Sequence, residues 1–75
     1  MSTTRPVATL WQLALNDDRL SCLVYRDPHG FELRLESPTV VILSERFDLQ
    51  PRMLARTEAL RASLTRRGWR EPPPD

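Results

Sequence analysis

Seventy-five residues with a formal charge of +1 and one cysteine allow a single domain, no disulfide and no general affinity for polyanions. No run approaches the ~18 apolar residues of a membrane span, and the N-terminus lacks the apolar core of a signal peptide, so the chain reads as cytoplasmic. All eleven basic residues are arginine, which fits GC-rich codon usage better than a binding device.

A chain of this mass buries roughly 60% of its extended surface on folding. That core is thin, and a small domain without a covalent staple gains stability by self-association. Charge is unevenly placed. Residues 51–70 carry six arginines against Glu58, for +5, while residues 1–50 carry seven acids against five arginines, for −2. An acidic sheet followed by a basic helix is the clearest electrostatic signal.

Residues 1–6 read as a flexible arm, 7–69 as one α+β domain and 70–75 as a proline-rich disordered tail. Hydrophobic periodicity is two until about residue 47 and 3.6 after it. Ala8 to Leu15 is the first strand, with Thr9, Trp11, Leu13 and Leu15 on one face. Asn16-Asp17-Asp18-Arg19 is a turn of backbone-bonding side chains, and Leu20 to Arg26 is the second strand.

Asp27-Pro28-His29-Gly30 is the strongest local signal. Pro28 presets the first central position of a type I turn, and Gly30 supplies the left-handed residue of a bulged hairpin. In that register Asp27 faces Phe31, Arg26 faces Glu32, Tyr25 faces Leu33 and Leu23 faces Leu35. The third strand, Phe31 to Glu36, alternates apolar and charged residues. Ser37-Pro38 interrupts the sheet before a fourth strand, Thr39 to Arg46, whose register stays open; without it the meander has three strands.

Asp48 or Gln50 is placed to cap a helix with Pro51 in its first turn, running to about Arg67. Met53, Thr57, Leu60 and Leu64 form its apolar stripe, with Leu54 on the flank. Gly68 is expected at the left-handed position after the helix, with Trp69 folding back on the last turn. The architecture is therefore an antiparallel β-meander with one C-terminal helix on one face.

Chemical sites are not in view. One cysteine and one histidine without partners at short spacing make no metal site. His29 reads as a solvated turn residue, and Cys22 as a small structural thiol without a base beside it. Two glycines make no phosphate loop, and a thin core leaves little room for a catalytic pocket. No catalytic residue, cofactor or metal is expected, and the chain reads as non-enzymatic.

The leading expectation is an interaction module that forms a homodimer and binds another protein. One helix covers one sheet face, and in the register above Leu10, Cys22 and Val24 lie on the other. They join the apolar run Val40, Val41, Ile42 and Leu43 as the candidate oligomer interface, used face to face or edge to edge. The alternative is a nucleic-acid-binding protein using Arg52, Arg56, Arg66, Arg67 and Arg70. A third reading, an accessory or immunity-like subunit of another protein, is not separable from the first by sequence.

Overall fold

A computed structural model describes residues 6–73. Most of the N-terminal arm and the last two residues of the tail lie outside that span. Four strands, β1 (Ala8–Leu15), β2 (Asp18–Asp27), β3 (Gly30–Glu36) and β4 (Val41–Phe47), form one antiparallel sheet in the order β1-β2-β3-β4, followed by helix α1 (Gln50–Arg66). The fold is the α+β meander that the periodicity predicts. No helix among the described residues is long and apolar enough to cross a membrane.

The hairpin register differs from the expected one by a single residue. Asp27 pairs with Gly30, so Arg26 meets Phe31, Tyr25 meets Glu32, Val24 meets Leu33 and Cys22 meets Leu35. Only Pro28 and His29 remain in the loop, and the His29 N–H donates to the Asp27 carboxylate at 2.8 Å. Side chains alternate with period two, so this step exchanges the two faces of β2. Leu20, Cys22 and Val24 face the core; Leu23 and Tyr25 face away from the helix. The expected opposition of Tyr25 and Leu33 is corrected accordingly.

Gly30 is required here for a reason outside its own loop. Its φ is 142°, and a Cβ at this position would drive into the Phe47 carbonyl oxygen at the end of β4. The first turn is tighter than the sequence implies. Leu15 already faces Asp18, and Asn16 takes φ 55°, the left-handed conformation a two-residue hairpin needs. Two bulges complete the sheet. Leu10 is the extra residue between Thr9, opposite Leu23, and Trp11, opposite Cys22; Thr9 thus leaves the face of Trp11. Ile42 is the extra residue between Val41, opposite Glu36, and Leu43, opposite Leu35.

The helix lies over β3 and β4. Met53 and Thr57 are buried, Leu60 and Leu64 pack at the edge, and the Thr57 hydroxyl donates to the Leu54 carbonyl. Leu49, not Asp48 or Gln50, is the N-cap, and no side chain bonds the first turn. The other end follows the expected design. Gly68 has φ 105°, its N–H bonds Thr65 O, and the Trp69 N–H reaches back to Leu64 O, the double bond of a Schellman stop. Trp69 joins the core cluster of Trp11, Leu13, Leu20, Cys22, Val24, Leu33, Leu35 and Met53.

Candidate interaction surface

The interface residues named from sequence divide into two groups. Cys22 is fully buried, Val24 is 4% exposed, and Leu10 packs against the core cluster. Cys22 and Val24 lie in the core on the helix side of the sheet and offer nothing to a partner, while Leu10 is partly buried and lines a groove with Thr9 and Gln12. Burial pushes the Cys22 thiol up to about 11, so it is a neutral packing group rather than a nucleophile. Leu43 also turns inward, opposite Leu35.

Val40, Val41 and Ile42 behave otherwise, being 58%, 50% and 54% exposed. They begin at the Ser37-Pro38-Thr39-Val40 turn, where the Ser37 hydroxyl accepts from the Thr39 and Val40 amides and the Ser37 N–H donates to Val40 O. The turn delivers the chain into β4, which pairs with β3 on one side only. At the bulge Val41 stands beside Glu36, while Ile42 turns into a groove of about 440 Å³ with Leu20, Pro38 and Trp69, rimmed by Asp17 and Asp18. Val41 and Ile42 therefore lie exposed at the start of the edge strand, with exposed Val40 in the turn before it.

The helix-free face needs no cover. Arg34 stacks on the Tyr25 ring, 4.2 Å from its centroid, and grips Glu32 through two hydrogen bonds. The Tyr25 hydroxyl donates to Glu36, Ser44 donates to Glu32, and Arg46 pairs with Asp27 and Glu32. Tyr25, 8% exposed, is buried under these charges. The Arg34 and Ser44 donors hold the Glu32 carboxyl below its usual range, and desolvation raises the Tyr25 phenol. Sequence reasoning placed the charges on this face but missed Tyr25, because the register error turned it inward.

The five arginines proposed for nucleic acid also divide. Arg56 forks onto Glu45 of β4, with Nε at 2.8 Å from its carboxylate. Arg70 donates to Thr65 O and Trp69 O, capping the helix end. Among the described residues, Arg52, Arg66 and Arg67 have no hydrogen-bond or ion-pair partner for their side chains. Nor do any three His, Cys, Asp or Glu side chains there cluster as metal ligands. Comparison with family models, curated proteins and solved structures finds no match to this chain.

Proposed function

We propose that this protein is a non-enzymatic interaction module that self-associates by pairing its β4 edge with the β4 edge of a second copy. The observation carrying this reading is exposed Val41 and Ile42, preceded by exposed Val40, on a strand that among the described residues is paired on one side only. Such an edge is ordinarily blunted by charge or covered by another strand. A two-fold axis normal to the sheet makes the joined strands antiparallel, continuing the meander into eight strands with both helices on one face. The same edge is open to a strand of another protein, which is how an accessory subunit would dock.

The seam has an electrostatic consequence. Arg56 sits on the β4 side of the helix, where it meets Glu45, and Arg52 lies one turn before it. Pairing the edges brings the two neutral Arg56–Glu45 pairs toward each other, so added salt should change association little. Amide exchange tests the pairing directly. Protection of β4 amides should rise with protein concentration, and Val41→Lys with Ile42→Lys should abolish that rise while leaving core protection intact. Protection of β4 independent of concentration would count against the reading.

A second reading rests on Arg52, Arg66 and Arg67, which share a helix side and lack partners among the described residues. They would contact phosphates, and affinity for duplex DNA would fall steeply with salt, unlike that of the dimer. The net charge of +1 and the pairing of Arg56 and Arg70 disfavour it. A complex tighter than about 10 μM at physiological salt would reverse this ranking.

A further inference from the structure

The two edges of the sheet are treated differently by the chain. β4 is open, whereas β1 is met by the segment that follows the helix: Ala14 N–H donates to Arg70 O at 2.7 Å, and Arg70 N–H donates to Ala14 O at 2.9 Å. Arg70 was assigned to the tail from sequence; here it is an extra rung on the sheet. We infer that residues 70–73 are a guard strand that stops β1 pairing with a second copy, and so hold the assembly at two copies.

Two features support a guard rather than a fifth strand. The antiparallel register of the bridge sets Pro72 against Gln12, and Pro72 has no N–H to donate, so pairing stops after one rung. Glu71 is held over the helix by Arg61, which steers the segment away from β1 and leaves a groove of about 370 Å³ beside Thr9 to Gln12. That uncovered stretch of β1 carries the Leu10 bulge, as the β4 edge carries one at Ile42, so a bulge does not set the two edges apart. What sets the β1 edge apart is therefore the guard at Ala14.

The consequence follows from symmetry, and it rests on the β4 reading for the word dimer. One open edge gives a closed two-fold pair; two open edges give a sheet that keeps growing. The guard is held by two backbone hydrogen bonds, the Arg70 side-chain bond to Thr65 O and one exposed ion pair, none of them made by the core cluster.

Two variants test this by sedimentation: a chain ending at Trp69, and full-length Arg70→Pro, which removes one bridge donor without shortening the protein. A dimer that at least doubles in mass on truncation supports both the guard and the β4 edge. A dimer unchanged by truncation overturns the guard and leaves the β4 edge standing. A full-length monomer that associates only on truncation supports the guard and defeats the β4 reading; monomers throughout defeat both. Should the shortened chain fail to fold, the Ala14 amide decides in the full-length protein. It should be protected and should exchange about ten-fold faster in Arg70→Pro; an unprotected Ala14 amide overturns the guard.

Discussion

The Arg34 guanidinium lies 4.2 Å from the centroid of the Tyr25 ring while its nitrogens grip Glu32. One side chain thereby covers the Tyr25 ring on the helix-free face and neutralises the carboxylate beside it. A cation over an aromatic face at a half-exposed site contributes about 0.5–1 kcal/mol, and the ion pair adds a similar or smaller amount. Arg34→Ala should therefore cost about 1 kcal/mol and lower the melting temperature by about 4–8 °C. Arg34→Lys keeps the charge but not the flat stack, and should recover only part of that loss. A melt unchanged by Arg34→Ala would show that Tyr25 does not depend on this cover.

Glu32 gives the same face a pH dependence. Hydrogen bonds from Arg34 and Ser44 depress its folded-state pKa, so the folded protein binds this proton less readily than the unfolded chain. Its contribution is fully present above the ordinary glutamate value of about 4.3 and is lost as pH falls through the depressed value. Thermal melts between about pH 6 and pH 3 should show stability falling toward acid. Glu32→Gln should flatten that fall; an identical slope in the variant would remove Glu32 from the cause.

The two glycines make separable demands. Gly30 combines φ 142° with the Phe47 carbonyl in the path of any Cβ, whereas Gly68 has φ 105° and only ordinary contact with Leu15. Gly68→Ala should cost about 1 kcal/mol for its backbone conformation alone. Gly30→Ala adds displacement of β4 backbone and should cost about 2–4 kcal/mol. Urea melts rank them, and a Gly30→Ala variant no weaker than Gly68→Ala would show that β4 does not press on the hairpin.

What could be foreseen from the residues follows the range of the forces involved. The helix end was legible because Arg67-Gly68-Trp69 contains its own cause: a glycine for positive φ, then an apolar side chain to fold back. The first three strands were legible from a period of two, and the fourth from its apolar run without its register. The β2–β3 register was not, since Asp27-Pro28-His29-Gly30 suits a two-residue loop as well as a three-residue one, and the choice is bound up with Phe47, seventeen residues beyond Gly30. That one step moved Cys22 and Val24 from the expected interface into the core. The bulges at Leu10 and Ile42 and the Arg70–Ala14 bridge are likewise set by distant partners. Of the candidate interface, only Val40, Val41 and Ile42 remain exposed, and their signal was the most local: consecutive β-branched residues after a proline turn.

The most direct test of the central claim, pairing through β4, is the mass of the full-length protein in solution between about 1 and 100 μM, since pairing must follow mass action. Sedimentation equilibrium should show a reversible monomer–dimer exchange. Val41→Lys with Ile42→Lys should shift it to monomer without lowering the melting temperature of the monomer itself. A single species of monomer mass across that range would contradict the account. So would a dimer whose dissociation constant is unchanged by both lysines.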